Sequence, residues 1–296
     1  MEGSVTIDKM GITEISIKSK KYPEGVRSVV KPPDILFVRG ELLPEDKTAV
    51  AIVGSRKCTA YGKQVAYDLA FALAKAGVTV VSGMALGIDG EAHKGALDAG
   101  GRTIAVLGTG VDDASIYPRA HTALAKRILK QGALVSEFEP GAPAYPSNFP
   151  QRNRIIAGLA LGTVVVEANK RSGSLITPGF ALEQGKDVFA VPGPIYSGTS
   201  AGTHALIQQG AKLITCAEDI LQELAIEPRV QKTASGGQST AQEKMILDVI
   251  EKGPADTDAI IQQLDLPTQA VLTLLAVLEL KQKVQHIGNN TYVVKK

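Results

Sequence analysis

Length, composition and charge limit the classes of protein that this sequence can encode. Its 296 residues leave room for about two domains, and 44% apolar with 21% charged residues is typical of a globular chain, which excludes wholesale disorder. Two cysteines exclude a disulfide framework, the apolar runs are too short to cross a bilayer, and a net charge of +2 does not by itself indicate a partner. With no signal-peptide pattern at the N-terminus, we expect a cytoplasmic protein without a membrane partner.

Short apolar strands alternate with helices after a proline-punctuated lead-in over residues 1–47, which is too short for a core of its own. Strands that are apolar throughout favour a parallel sheet covered by helices on both faces. The sequence therefore predicts an α/β fold, with a doubly wound, mostly parallel Rossmann-like core over residues 48–227. The predicted strands are Thr48–Val53, Val78–Val81, Thr103–Leu107, Leu134–Ser136, Thr163–Val166, Asp187–Val191 and Lys212–Thr215. The predicted helices are Gly62–Ala76, Asp89–Ala99, Ala120–Gln131, Arg154–Ala160, Thr177–Gln184 and Ala205–Gln209.

The last quarter of the chain predicts a separate small domain. Residues 228–240 are polar and contain Pro, Gly, Ser and Thr, which is typical of a linker. Residues 241–296 then predict three helices and a terminal hairpin around the turn 288–290, the layout of a winged helix. Its recognition helix, Thr268–Leu280, contains no Lys or Arg. Because helices that read duplex DNA normally bring cations, we expect at most a weak DNA contact from this domain, and docking of a protein remains an equal alternative.

Several loops of the core carry residues that suit a phosphate-bearing ligand. In a doubly wound sheet, ligands bind beyond the carboxyl ends of the strands, where backbone N–H groups at helix N-termini can face an anion. One such loop would be explained by the turn alone, but several loops with basic residues favour an anion site. The candidate residues are Gly54, Ser55 and Arg56 after the first core strand, Arg119, Arg152 and Arg154 in later loops, and Lys170, Ser172, Gly173 and Ser174 before another helix.

Motifs for several kinds of catalysis are missing. The sequence has no G-x-x-x-x-G-K-[ST] and no G-x-G-x-x-G at the first turn, so ATP hydrolysis and classical NAD binding lack their motifs. The four histidines have no metal-ligand spacing. The candidate serines have no evident His and acid partners for a nucleophilic triad. We therefore predict no catalytic residue, no cofactor and no metal.

Six separated motifs resemble the DprA/Smf family of DNA-processing proteins. They are AIVGSR at 51–56, VSGMALGIDGEAH at 81–93, IAVLGTGVD with YPRAH within 104–121, NFPQRNRIIAGL at 148–159, EANKRSGSLIT at 167–177 and DVFAVPG at 187–193. The lead-in and the winged helix match as well. The resemblance implies a core that binds single-stranded DNA, forms a homodimer and helps to load a RecA-type recombinase during natural transformation, without enzymatic activity.

The resemblance also implies roles for individual residues. Arg56 and Arg119 would be the principal contacts to the strand, and Arg152, Arg154 and Lys170 would contact it at the rim. Few aromatic residues lie near the expected site, so phosphate and backbone contacts should dominate over base stacking. Leu206 and Ile207 are candidates for the apolar seam of the dimer.

Two other functions are compatible with parts of the sequence. A phosphoribohydrolase acting on nucleoside monophosphates shares the core architecture, but its signature P-G-G-x-G-T is closely followed by Glu. Here Thr177 is followed by Pro178, Gly179 and Phe180, so the catalytic carboxylate is absent at that place. A purely structural adaptor acting through the winged helix would leave the basic loops of the core unexplained.

Overall fold

The computed structural model describes most of the chain. It covers residues 5–7, 11–228, 241–251, 253, 255–264, 266–280, 283–286 and 291–294. The chain divides into two compact units, residues 1–231 and 232–296, and each is described by itself. The predicted linker, apart from residue 228, lies outside the described residues. Within the described part of the chain, no helix is long and apolar enough to cross a membrane.

Among the described residues, the first unit is built on one ten-stranded sheet. Its strands are β1 (Val5–Ile7), β2 (Ile12–Ser16), β3 (Ile35–Gly40), β4 (Ala49–Val53), β5 (Thr79–Ser82), β6 (Thr103–Val106), β7 (Ala133–Ser136), β8 (Gly162–Val165), β9 (Asp187–Ala190) and β10 (Lys212–Leu213). Their order is β1-β2-β3-β7-β6-β5-β4-β8-β9-β10. All neighbours from β7 to β10 in that order are parallel. The strand order reverses between β4 and β8, which makes the carboxyl ends of these two strands the topological switch point.

Helices cover both faces of this sheet. They are α1 (Glu24–Arg27), α2 (Ala60–Lys75), α3 (Ile88–Asp98), α4 (Thr122–Ile128), α5 (Asn148–Leu159), α6 (Ile176–Glu183), α7 (Ala201–Gln208) and α8 (Ala217–Glu223). The side chains of β4 alternate between two cores: Val50 and Ile52 join a cluster with α2, α3 and α8, whereas Ala51 and Val53 join a cluster with α1 and α5. Burial on both faces is the reason that this strand is apolar throughout. The predicted doubly wound α/β core is confirmed.

Helix α5 begins earlier than the sequence indicated. The predicted helix started at Arg154, but the observed one starts at Asn148. Pro150 does not prevent this, because it lies in the first turn, where a backbone N–H has no partner inside the helix. The correction matters for function, since it places Phe149 and Arg152 in the first turns of a rigid element.

The lead-in of residues 1–47 is part of the same sheet. Strands β1, β2 and β3 pair antiparallel, and β3 pairs antiparallel with β7. Ile15, Leu36 and Val38 are buried in the same cluster as Ala51 and Val53. The lead-in is too short for its own core, and the structure shows that it shares the core of the parallel strands instead.

The second unit has the predicted winged-helix layout. Its elements are α9 (Ala241–Ile250), β11 (Ala255–Asp256), α10 (Thr257–Leu264), α11 (Thr268–Leu280), β12 (Val284–His286) and β13 (Thr291–Val294). The three strands are antiparallel in the order β11-β13-β12. The Asp256 carboxylate accepts a hydrogen bond from the Ala259 N–H at 2.7 Å, which caps α10 as the sequence indicated. The predicted turn at 288–290 lies outside the described residues.

Candidate functional site

A cleft of about 660 Å³ lies at the switch point of the sheet. It is formed by the loops that follow β4 and β8, together with the first turns of α5 and part of the β6–α4 loop. The residues that line it are 53–57, 85, 89, 117, 144, 146, 149, 150, 152, 153, 156, 169, 172–174 and 177. It therefore brings together Gly54, Ser55, Arg56, Arg152 and the serine loop 172–174 from the predicted set, but neither Arg119, Arg154 nor Lys170.

Gly54 and Ser55 shape the loop after β4. A Cβ on Gly54 would come within 2.7 Å of Ile88 Cγ1 and 3.0 Å of the Glu167 carbonyl oxygen, so only glycine fits there. The Ser55 N–H donates to that carbonyl at 2.8 Å. The Ser55 hydroxyl oxygen accepts from the Lys57 N–H at 3.1 Å. Both residues are buried, and their role is to aim the next residues into the cleft.

Arg56 presents a free cation at the mouth of the cleft. Its side chain is exposed, and its guanidinium carbon lies 5.2 Å from the centre of the Phe149 ring. The ring of Tyr117 lies 5.6 Å from Phe149, tilted by 44°. Among the described residues Arg56 has no hydrogen-bond or ion-pair partner in the protein. We call Arg56, Phe149 and Tyr117 the stacking platform, and it provides more aromatic surface than the sequence led us to expect.

Gly108 makes room for this platform. A Cβ at that position would lie 3.0 Å from Phe149 Cδ1, so a larger residue would push the ring out of place. Tyr117 precedes Pro118 in a cis peptide bond, and its side chain is 46% exposed. The platform is thus held by backbone and packing, while its upper surface stays open to solvent.

Several backbone amides of these loops already have hydrogen-bond partners within the protein. The Ser55 N–H is bonded to Glu167, and the Gly110 N–H donates to the Ala142 carbonyl at 3.1 Å. The Ser172 N–H donates to the Asn169 carbonyl at 3.0 Å, and the Ser174 N–H donates to the Ser172 hydroxyl at 3.3 Å. Because these four donors are used internally, a ligand would be contacted by side chains and by the other backbone amides of these loops.

Arg152 is a buried part of the cleft floor, which corrects its predicted place at the rim. Only 3% of the residue is exposed. Its guanidinium donates to the Gly83 carbonyl at 2.8 Å and also to the Val106 carbonyl, so it links the ends of β5 and β6. Burial lowers the pKa of Arg152 to about 10, although the nearby Asp89 carboxylate opposes this. Burial likewise raises the pKa of Asp89, against the attraction of Arg152.

Arg154 is also buried, and its predicted place at the rim is corrected for the same reason. It forms a two-pronged ion pair with the Glu137 carboxylate at 2.6 and 2.7 Å, with both side chains less than a tenth exposed. Its Nε donates to the Lys31 carbonyl at 3.1 Å. All of these groups lie within the protein, so Arg154 joins α5 to the segment between α1 and β3 and does not line the cleft.

Arg119 and Lys170 are exposed beside the cleft without lining it. Arg119 follows Tyr117 by two residues, and among the described residues its guanidinium reaches only the Asp113 carbonyl, at 3.4 Å. Lys170 lies in the β8–α6 loop next to Asn169, which does line the cleft. Both cations can therefore contact a ligand that is longer than the cleft.

Sequence reasoning missed three polar residues of the cleft wall. Lys57 is exposed directly beside Arg56, and Asn153 and Asn169 face the cleft from α5 and from the β8–α6 loop. The adjacent basic pair Arg56-Lys57 was a usable signal. The asparagines had none, because their orientation depends on how α5 and the β8–α6 loop meet.

Fold and site together define a class: a doubly wound α/β protein with a cationic, aromatic cleft at its switch point and a winged-helix domain. Comparison with protein families makes the assignment specific. The model described as DNA recombination-mediator protein A matches residues 13–225, and the DprA winged helix domain matches residues 230–289. The chain belongs to the DNA recombination-mediator protein A family.

Individual relatives agree with this assignment. DNA processing protein DprA of Bacillus subtilis is 46% identical over 226 residues, which cover 76% of this chain and 75% of the relative. Protein Smf of Escherichia coli is 50% identical over 211 residues, 71% of this chain but only 56% of the longer relative.

Solved structures are similar as well. DprA from Streptococcus pneumoniae matches with a TM-score of 0.68 and 44% identity, covering 71% of this chain and 73% of that one. DNA processing protein A from Helicobacter pylori, described for its single-stranded DNA binding mode, matches with a TM-score of 0.66 and 28% identity. That match covers 76% of this chain and 100% of the Helicobacter chain.

Proposed function

We propose that this chain binds single-stranded DNA in the cleft and helps to load a RecA-type recombinase onto it during natural transformation, with no enzymatic activity of its own. The observation that carries the proposal is the stacking platform. An arginine without a hydrogen-bond or ion-pair partner among the described residues lies over the partly buried ring of Phe149, which in turn contacts the exposed ring of Tyr117. This arrangement lies at the point of the sheet where ligands of this fold bind. Family membership supports the same conclusion.

The platform favours a single strand over a duplex. A base can stack on a protein ring only if the face of the base is free, and the exposed ring of Tyr117 provides a surface for it. Such stacking contributes about 1–3 kcal/mol per base without regard to sequence. Arg56 can contact a phosphate oxygen while it remains over Phe149, because its guanidinium has donors on several sides. Lys57, Arg119 and Lys170 extend the positive surface along which the backbone of the strand would run.

The cleft offers little to the rival phosphoribohydrolase activity. Among the described residues that line it, the one carboxylate is Asp89. That carboxylate is buried, accepts a hydrogen bond from the Ala85 N–H and faces Arg152. Its place in the floor is explained by balancing the buried charge of Arg152. We therefore assign it a structural role.

The partners belong to the same proposal. We expect a homodimer formed by the core unit and a cytoplasmic location. Leu206, proposed as part of the apolar seam, packs against two core clusters and is only partly exposed. Ile207 remains a candidate for the dimer seam. Leu213, on the edge strand β10, is 46% exposed and is a further candidate. The winged-helix unit is left available for the recombinase or another protein.

The test is a titration of the full chain with labelled oligothymidine at two salt concentrations, beside an assay for hydrolysis of nucleoside monophosphates. We expect saturable binding that weakens with salt, and no hydrolysis. Hydrolysis of a monophosphate without oligothymidine binding would establish the enzyme instead. Loading is tested by adding a RecA-type recombinase to strands coated with single-strand-binding protein, with and without this chain.

A further inference from the structure

The loop between β9 and α7 exposes two large apolar side chains at the same edge of the sheet as the cleft. Tyr196 is 97% exposed and Ile195 is 78% exposed. The Ser197 N–H donates to the Pro194 carbonyl at 2.9 Å, so these two residues occupy the centre of a hydrogen-bonded turn. Central turn positions normally carry Gly, Asn, Asp or Ser. Neither the turn nor the core therefore requires an isoleucine and a tyrosine there.

This loop is fixed to the walls of the cleft rather than hanging free. Glu167, just after β8, accepts hydrogen bonds from the Thr59 N–H at 2.9 Å and the Thr59 hydroxyl at 2.6 Å. The same carboxylate accepts from the Thr199 hydroxyl at 3.4 Å, and the Ala168 N–H donates to the Thr199 carbonyl at 2.8 Å. At the other end of the loop, the Tyr61 hydroxyl donates to the Pro192 carbonyl at 3.2 Å. The turn thus has a defined position beside the loop that follows β8.

The cleft loop that this turn approaches carries positive charge. The position of a Cβ on Gly198 would be 3.7 Å from Asn169 Oδ1, and Asn169 itself lines the cleft. Lys170 and Arg171 follow in the same loop, both are exposed, and neither has a hydrogen-bond or ion-pair partner among the described residues. An exposed ring and free cations on two hydrogen-bonded loops can together bind the base and the phosphate of a nucleotide.

We infer that Tyr196 is a second base-stacking position, which takes a nucleotide of the same single strand after it leaves the cleft past Lys170 and Arg171. The inference rests on the proposed function. The occupant is a strand rather than an apolar peptide because the loop that this turn approaches at Asn169 carries two exposed cations and leads into the cleft. Ile195, at the neighbouring turn position, would contact the edge of the stacked base.

The test compares oligothymidines of increasing length, from about 4 to about 16 nucleotides, on the full chain. Tyr196→Ala should bind the shortest strands like the unmodified chain but the longest about tenfold more weakly, a loss of about 1.4 kcal/mol. Tyr196→Phe should bind all lengths normally, because it keeps the ring. Arg56→Ala is the comparator, and it should weaken binding at every length.

Tryptophan fluorescence provides a second readout, because the chain has no tryptophan of its own. Tyr196→Trp introduces a single indole, and long oligothymidine should quench its fluorescence while the shortest strands should not. If Tyr196→Ala binds every length normally while Arg56→Ala does not, the second position is refuted and the proposed function stands. If the unmodified chain binds no oligothymidine, the second stacking position and the proposed function are both refuted. A loss of dimer mass in light scattering, with DNA affinity unchanged, would assign Tyr196 to an interface between copies and also refute it.

Discussion

Replacing Arg56 with alanine tests the cleft most directly. The side chain is exposed, lies over Phe149 and has no polar partner in the described part of the chain. Its removal should therefore leave the free energy of unfolding almost unchanged, because exposed substitutions without partners rarely alter it by more than about 0.5 kcal/mol. Any loss of DNA affinity can then be assigned to the contact with the strand and not to a damaged fold.

The expected loss follows from the two contacts that Arg56 can make. A hydrogen bond from a charged group to phosphate contributes about 1.5–3 kcal/mol. The cation–ring interaction with Phe149 adds little, since it exists before the strand binds. Arg56→Ala should thus weaken oligothymidine binding roughly tenfold to a hundredfold. The slope of log K against log salt should also fall by about 0.7, the value for one neutralised phosphate on a single strand.

Fluorescence anisotropy at several salt concentrations measures both quantities. Lys130→Ala is a matched control, because Lys130 is an exposed cation just before β7 and thus at the opposite edge of the sheet. It should change neither affinity nor fold. Arg56→Lys keeps the charge, so the salt dependence of binding should stay the same. It removes the planar guanidinium, so part of the DNA affinity should be lost. The double variant Arg56→Ala with Arg119→Ala should nearly abolish binding. Normal affinity in that folded double variant would refute the cleft as the DNA site.

Three further outcomes are expected. Arg154→Met should lower the free energy of unfolding by about 3–5 kcal/mol, because it leaves Glu137 buried without its ion-pair partner. Adding Glu137→Met should restore part of this free energy, as measured by urea denaturation. A change in DNA affinity with no change in stability would contradict the structural role of Arg154. Deleting residues 238–296 should keep oligothymidine affinity within roughly tenfold, since that segment has one more acidic than basic residue; a hundredfold loss would make the winged helix a primary contact. Burial lowers the pKa of Lys186 to about 8, so the unfolded chain holds this proton more tightly than the folded chain does. Loss of the proton therefore favours the folded chain. The stability of the unmodified chain relative to Lys186→Met should rise as the pH increases from about 8 to 10. An equal stability difference at both ends of that range would argue against the lowered pKa.

The sequence predicts the core well because its signals are local. Strands such as β4 are apolar throughout, and Gly54 and Arg56 follow directly, so their place at the strand end can be read from the order of residues alone. Helix α11 was predicted with its observed bounds, since its apolar residues recur with helical spacing. The family motifs lie in these same segments.

Features that depend on distant pairing were not predictable in this way. Arg152 and Arg154 differ from Arg56 only in what surrounds them, because Gly83 and Glu137, distant in sequence, determine that both are buried. A basic residue in a loop motif does not reveal whether its partner will be a ligand or the protein. The contact between Phe149 and Tyr117 was not predictable for a similar reason, since the two rings meet only after α5 and the β6–α4 loop are packed together.

The antiparallel strands β1, β2 and β3 also determine whether the sheet has an edge strand whose backbone can pair with another molecule. A chain without residues 1–40 would leave one edge of β7 unpaired, while its other edge stays paired with β6, and β7 contains the apolar Leu134 and Val135. Such an edge is a template for the strand of another molecule, so this truncation should favour aggregation. The edge strand at the other end of the strand order, β10, is protected from such pairing in a different way. It has only two residues, and its Lys212 forms an ion pair with Glu223. Association of two copies at β10 would therefore use side chains rather than a continuous sheet.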